Sequence, residues 1–306
     1  MYKLEKSYGK ATYDEWTEKK PDDLRDTQTN ADQANKNTWE VKSFRELLEC
    51  VAFLSSMNKR LTLFFRGQTS DERDPLPVLL RDKWKCFDTQ EWFRLTTANR
   101  QLYWEELANI GKQVYEICKG SDLGLPRWRA LRDTREVQWA VIQHYGLWPT
   151  PLIDITSSLR IAASFAMDLQ VGIPGNHRHG FVFVVGMPSS TGSITFDIDQ
   201  QLCLARLYSA CPRIAKRPHY QDGFLVGRFP IYSMADHRVQ EKSNLLRRLV
   251  AKFSLVDEGN FWDEDFPIIR DTALYPENDP LRVHFVEEFG RSGQHSLYKL
   301  AKDIIR

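Results

Sequence analysis

Residues 143–167 constrain the fold more than any other stretch, because polar side chains stand there inside an apolar run. Residues 152–156 predict a short buried strand into which Asp154 and Thr156 are set. The apolar residues of 159–169 then recur at helical spacing on nearly every side, which predicts a buried helix. Ligand sites are often built where such a strand meets a helix N-terminus. A helix cap beside one hydrogen-bonded core aspartate explains the same pattern equally well.

The bulk composition is that of a soluble globular protein. Of the 306 residues, 42% are hydrophobic and 27% are charged, and the formal net charge of +1 neither requires nor excludes a nucleic-acid partner. The five cysteines are scattered without a Cys-x-x-Cys pair, which disfavours a disulfide framework or a zinc site. The sequence has neither a leader-like apolar segment nor a membrane-length apolar run, so we expect a cytoplasmic protein with no membrane partner. The oligomeric state is left open.

Three segments differ in composition. Residues 1–38 are polar and lack a helical or strand period, so we expect an extended N-terminal arm or a partly ordered extension. Residues 39–235 form the main domain, and residues 236–306 are predicted as a helical addition packed on it, with a basic helix at 243–253 and a tail helix at 296–304. The alternation of apolar runs with longer helical patterns predicts an α+β fold, in which helices surround a mixed β core within one large domain.

Local signals place several further elements. Ser43 and Glu46 form a capping box at the start of a helix. Residues 61–65 predict a strand that ends at Gly67, where a glycine lets the backbone turn. Additional strands are predicted at 181–185, 194–198 and 216–226, and helices at 91–119 and 199–207.

Three ordered blocks of this sequence together resemble the FRG domain family. They are Phe65-Arg66-Gly67-Gln68, the stretch 143–156 with the alanine-rich helix after it, and the spaced residues Arg217, Gln221 and Gly223. Arg81 matches an arginine that often follows the first block, whereas Trp148 is an insertion relative to the second. The resemblance covers about residues 40–230, and the three blocks together are more specific than any one of them.

The order of the blocks is also similar to that of ADP-ribosyltransferases, which implies an ADP-ribosyltransferase-like fold and NAD as a substrate. By this resemblance Arg66 holds the NAD phosphates or the nicotinamide ribose, since a guanidinium suits phosphate oxygens. Thr156 and Ser157 position that ribose, and Gln221 bonds its 2′-hydroxyl. The candidate NAD-binding residues are Arg66, Gly67, Gln68, His144, Thr156 and Ser157; the candidate catalytic residues are Arg66, Asp154 and Gln221, and no metal ligand is predicted.

A carboxylate is missing from the third block, where Gln221 stands in place of a glutamate. Glutamine cannot accept a proton from an incoming nucleophile, so the carboxylate must come from elsewhere. Asp154, Glu136 and Asp222 are the alternatives, and the sequence does not choose among them.

Simpler roles explain several of these residues. Arg66 and Asp154 can form a structural ion pair, and His144 can cap the carbonyl end of its helix. His177 and His179 stand in a loop between two glycines, but no set of further ligands stands nearby. The basic residues of 242–252 indicate a solvated helix face more than a nucleic-acid stripe; they are Lys242, Arg247, Arg248 and Lys252.

Three functions follow as hypotheses. The first is an NAD-dependent ADP-ribosyltransferase with a DNA, RNA or protein acceptor, or water, in a toxin or defence role. The second is a non-catalytic FRG module that binds a nucleotide or nucleic acid, which the Gln221 substitution favours. The third is a nucleic-acid enzyme that uses Asp154 and Glu136 with a divalent metal.

Overall fold

A computed structural model provides the fold of this protein. It describes the following residues: 1–19, 28–71, 75–77, 79, 97–120, 128–167, 178–230 and 242–289. The sequence-based predictions for Arg81, His177 and the tail helix 296–304 lie outside the described residues.

One mixed sheet forms the centre of the molecule. Its eight strands are β1 (Thr38–Val41), β2 (Thr62–Gln68), β3 (Leu152–Thr156), β4 (Arg178–Met187), β5 (Ile194–Asp197), β6 (Leu202–Arg206), β7 (Gly223–Arg228) and β8 (Leu249–Asp257). The strand order is β1-β8-β4-β2-β3-β7-β6-β5. Only the pair formed by β1 and β8 is parallel, and all other neighbouring strands are antiparallel.

Eleven α-helices in the described ranges surround this sheet. They are α1 (Lys10–Lys19), α2 (Ala31–Lys36), α3 (Phe44–Met57), α4 (Thr97–Lys119), α5 (Trp128–Asp133), α6 (Arg135–His144), α7 (Leu159–Met167), α8 (Leu207–Ala210), α9 (Arg217–Tyr220), α10 (Asp271–Leu274) and α11 (Pro280–Phe289). None of these helices has the length and apolar character needed to cross a bilayer. The prediction of helices around a mixed β core is confirmed.

The sheet separates two apolar cores. Leu152 belongs to one core and the adjacent Ile153 to the other, as expected where successive strand residues point to opposite faces. The first core contains residues of α4, α6 and α11, and the second contains residues of α3 and α7. Trp148 is fully buried in the first core with its ring 5.6 Å from that of Tyr103, so the inserted residue fills the core.

Strand β2 continues past the glycine at which the sequence predicted its end. Gly67 pairs with Val182 and Gln68 with Phe181 on β4, so the predicted end of this strand is wrong. The glycine has a packing role, because a Cβ atom there would lie 1.9 Å from the carbonyl oxygen of Ala162 on α7. Gly67 therefore lets α7 lie directly against the strand that carries Arg66.

The N-terminal residues do not form the extended arm that their polarity predicted. They fold into α1 and α2, and α2 begins with a capping box at Asn30. Met1 and Ala31 are buried in the core that contains α3 and α7. A few apolar residues at the correct positions are enough to fix this segment, although its average composition is polar.

The predicted basic helix at 243–253 is also wrong. A short 3₁₀ turn (Leu245–Arg248) leads into β8, which lies between β1 and β4 in the sheet. Arg248 is 1% exposed and donates from Nε to the Gly186 carbonyl, and Lys252 forms a 2.9 Å ion pair with Asp71. These cations are part of the folded interior and do not form a solvated helix face.

Two further predictions fail near the candidate site. The predicted helix at 199–207 is largely strand β6, because this segment pairs with β5 and β7. The predicted strand at 216–226 begins as helix α9 and becomes β7 only at Gly223. This arrangement places Arg217 and Gln221 on a helical turn directly before β7.

Candidate functional site

A pocket opens where strands β2 and β3 diverge. The two strands pair only at Phe65 and Thr156, whereas β2 pairs with β4 along its whole length. The cavity has a volume of about 350 Å³. It is lined by Phe65, Arg66, Gly67, Gln68, Thr69, Ser70, Gln143, His144, Asp154, Ile155, Thr156, Phe165, Arg217, Gln221, Gly223 and Tyr275.

Arg66 lies at the divergence of the two strands and bridges them. Its Nη1 donates to the backbone carbonyl of Asp154 at 2.6 Å, and its Nε donates to Oε1 of Gln68 at 3.2 Å. Burial lowers the pKa of the Arg66 guanidinium, which still remains protonated at neutral pH. The bond to Asp154 is to the main chain, so the predicted side-chain ion pair between these residues does not form.

Asp154 is held from the side of helix α6. One carboxylate oxygen lies 3.4 Å from Nδ1 of His144, and the other accepts a 3.5 Å hydrogen bond from the Gln143 amide. Gln143 is itself fixed, because its Oε1 accepts from the backbone N–H and the hydroxyl of Thr150. His144 therefore faces a carboxylate and does not cap its helix, and the Asp154 side chain keeps 39% of its surface exposed.

The charges of this pair follow from their surroundings. Burial raises the pKa of Asp154, but the hydrogen bond from His144, the charge that His144 carries at acidic pH, and the charges of Arg66 and Arg217 outweigh it and lower the pKa to about 2. Burial, together with the positive charge of Arg217, lowers the pKa of His144. At pH 7 the pair is therefore a carboxylate and a neutral imidazole. Since the carboxylate can only accept, the imidazole proton lies on Nδ1.

Thr156 and Gln221 tie β3 to the turn before β7. The Thr156 hydroxyl donates to the Gln221 carbonyl at 2.8 Å, and the Gln221 side-chain amide donates to the Leu274 carbonyl at 2.7 Å. Both residues line the pocket, but these donor groups already hold the backbone. Ser157 is exposed, does not line the pocket and donates its hydroxyl to the Asp222 carboxylate.

Two further residues line the pocket from later segments, and the sequence analysis named neither of them as a site residue. Arg217 of α9 places its guanidinium 4.7 Å from the ring centroid of Tyr275, which directly follows α10. The Tyr275 ring also meets Phe165 of α7 edge-on at 5.8 Å. Arg217 was visible as part of the third block, but nothing in the sequence around Tyr275 connects it to the site.

The other proposed carboxylates lie elsewhere. Glu136 is buried and paired with Arg135, and it precedes His144 by eight residues, or about 12 Å along α6. Asp222 is not among the residues that line the pocket. Within the described ranges, no three His, Cys, Asp or Glu side chains are grouped as a metal ion would require. Of the described residues that line the pocket, Asp154 is the one with a carboxylate.

Comparison with known proteins identifies one family. Residues 62–171 match the model of the FRG domain family. No curated protein and no solved structure matches the chain. The matched stretch contains Arg66, His144 and Asp154, whereas Arg217, Gln221 and Tyr275 lie beyond it. The first two of the three sequence blocks lie within the matched stretch, and the match supports the resemblance of residues 62–171 to the FRG domain family.

Proposed function

We propose that this protein is an NAD-dependent ADP-ribosyltransferase whose pocket binds NAD as its substrate, on an ADP-ribosyltransferase-like fold. The observation that carries the proposal is the combination of Arg66 and Arg217 with the ionised Asp154 in one pocket. Two guanidinium groups suit a ligand with phosphates, and a carboxylate suits a ligand that develops positive charge during reaction.

The binding step uses the cationic and aromatic walls. Arg66 and Arg217 offer N–H groups to the phosphate oxygens, and each such contact is a charge-assisted hydrogen bond. Tyr275 and Phe165 offer ring surfaces to the planar parts of the dinucleotide. Gln68 supports binding indirectly, since its side-chain oxygen fixes the Arg66 guanidinium.

The chemical step is the loss of nicotinamide. The bond between the ribose C1′ and the nicotinamide nitrogen breaks, and its electron pair leaves with the nicotinamide. The ribose becomes an oxocarbenium-like cation, which is the charge that a fixed carboxylate stabilises. Asp154 supplies this carboxylate in place of the missing glutamate. The acceptor then attacks C1′ and passes its proton to the Asp154 carboxylate. DNA, RNA, protein or water can be this acceptor.

A non-catalytic module that binds a nucleotide or nucleic acid is the second candidate. The buried amide of Gln221 favours it, since this side chain is held by the Leu274 carbonyl and offers no carboxylate to an acceptor. Such a module binds NAD but leaves its glycosidic bond intact. The proposed transferase, in contrast, would suit the biological role of a cytoplasmic toxin or defence effector.

Nicotinamide release from NAD tests the proposal. The purified protein is assayed alone and with DNA, RNA or cell lysate, next to Asp154→Asn, Arg66→Ala and Lys112→Ala. Asp154→Asn keeps the side-chain shape and removes the charge, whereas Lys112 is exposed on α4 and outside the pocket. We expect release by the wild type and Lys112→Ala, at least a hundredfold slower release by Asp154→Asn, and stimulation by the acceptor class.

Two results would count against the enzyme. Equal release by the wild type and Asp154→Asn would remove Asp154 from the chemistry. Thermal stabilisation by NAD without release in any mixture would leave the binding module as the better account.

A further inference from the structure

Arg217 is a cation without a matching anion in the described part of the structure. Its Nε is buried and has no hydrogen-bond partner there, and none of the ion pairs found among the described residues includes its guanidinium. The group instead lies over two rings, 4.7 Å from the centroid of Tyr275 and 5.8 Å from that of Tyr145. Aromatic faces hold a guanidinium plane in place without neutralising its charge.

The buried carboxylate of Asp279 fixes the base of this arginine. Its Oδ2 accepts from the backbone N–H of Arg217 at 2.7 Å and from the hydroxyl of Tyr145 at 3.0 Å. Its Oδ1 accepts from the backbone N–H groups of Leu281 and Arg282 at the start of α11. Asp279 is completely buried, and among the described residues its four donors satisfy its charge without a bond from the Arg217 guanidinium.

Arg66 approaches the same pocket from a different element. Arg66 lies on β2 and bonds across to β3. Arg217 lies on α9, directly before β7, and β7 is the neighbour of β3 on the side away from β2. The Asp154 carboxylate belongs to β3, which stands between β2 and β7. A phosphate beside this carboxylate would be repelled, so the two guanidinium groups provide separate positions for anions.

We propose that Arg217 forms a second phosphate subsite, so that the pocket takes a diphosphate with one phosphate at Arg66 and the other at Arg217. Asp279 and Tyr145 are positioning residues that aim Arg217 and do not touch the ligand. This inference rests on the proposed function, because it names the part of NAD that the pocket recognises, the diphosphate linkage.

Binding of ADP, AMP and adenosine, measured by calorimetry, tests the subsite. The variants are Arg217→Ala, Arg217→Lys, which keeps a charge but loses the planar fork, and Arg129→Ala as a control that removes an arginine outside the pocket. We expect the wild type and the control to bind ADP at least tenfold tighter than AMP. Arg217→Ala should weaken ADP binding about ten- to hundredfold and bring the ADP-to-AMP affinity ratio near one. Arg217→Lys should lie between them.

The positioning role of Tyr145 is tested by the ADP-to-AMP affinity ratio. Tyr145→Phe removes one donor from Asp279 and keeps the ring under Arg217, so the affinity ratio should fall severalfold with adenosine binding unchanged. A merely structural role for Tyr145 would lower the melting temperature and leave this ratio intact.

The outcomes separate the subsite from the enzyme. Wild-type protein that binds ADP and AMP equally, or binds no ADP, overturns the subsite, as does an unchanged ratio in Arg217→Ala. If nicotinamide release is normal with any of these results, the proposed transferase activity stands and the Arg217 subsite is rejected. Preferential ADP binding that depends on Arg217, without nicotinamide release, keeps the subsite and rejects the enzyme.

Discussion

Replacing Gly67 with alanine tests whether this glycine is needed for the close packing of α7 against β2. The new Cβ atom would lie 1.9 Å from the Ala162 carbonyl oxygen and 2.9 Å from the Ala166 nitrogen. Real Cβ atoms essentially never come closer than 3.0 Å to such atoms, so α7 would have to move by about 1.1 Å (3.0 minus 1.9). Both contacting atoms belong to the helix backbone, which cannot rotate away as a side chain can.

The expected loss of folding stability is large for the addition of one methyl group. Overpacking a tight contact typically costs about 1–3 kcal/mol, and this contact involves two rigid backbones, so we expect about 3 kcal/mol or more. For a chain of 306 residues a loss of about 3 kcal/mol lowers the melting temperature by about 5 °C. Displacement of α7 would also disturb the pocket, since Phe165 lies on that helix and lines it.

Gly186→Ala is the matched control. Gly186 lies opposite Leu63 on the neighbouring strand β4, and its added Cβ would meet the end of the Leu61 side chain at 2.6 Å. This side chain is half-buried and can rotate, so we expect a smaller loss of stability, about 1 kcal/mol. Urea unfolding and thermal melting of both variants give the comparison. A cost for Gly67→Ala no greater than that for Gly186→Ala would refute the packing role.

Two further predictions concern charged residues. Since the folded pKa of Asp154 is about 2 and its unfolded pKa is about 3.9, the stability from its charge should be complete above about pH 4 and lost as the pH falls towards 2. The gap in melting temperature between wild type and Asp154→Asn should therefore close only in that window, and a gap that closes near pH 6 would contradict this assignment. Arg248→Met should cost about 2–4 kcal/mol in urea unfolding, because it leaves the Gly186 carbonyl without its buried donor. Exposed Arg213→Met should change stability by less than about 0.5 kcal/mol, and equal effects would contradict the buried role of Arg248.

The sequence predicted well those elements whose apolar pattern is local. Strand β3 has its predicted bounds, 152–156. Helix α7 begins at the predicted residue 159 and ends at 167, two residues before its predicted end. Helix α3 begins after Ser43, whose hydroxyl accepts from the Glu46 N–H as the capping signal predicted. In these cases the residues that decide the structure are neighbours in the chain, so a short window contains the relevant information.

Strand β8 shows why the same method failed elsewhere. Its residues are buried on both faces, so the segment has no strand alternation, and its leucines and valines fit a helical spacing equally well. The deciding interactions are pairing with β1 and β4, more than sixty residues away in the chain. The partner of Lys252 is Asp71, 181 residues away, and no local pattern predicts such a contact.

The residues of the candidate site also fall into two groups, those with a local sequence signal and those placed by contacts that are distant in the chain. Arg66, His144 and Asp154 lie within the FRG match and were identified from motif residues, because each is fixed by a strand or helix with a clear local signal. Arg217 and Tyr275 complete the pocket from outside that match, and their placement depends on Asp279 and on the Leu274 carbonyl. A fragment limited to residues 62–171 therefore lacks one of the two guanidinium groups. If both phosphates of NAD are bound as proposed, this binding depends on segments that the FRG match does not cover.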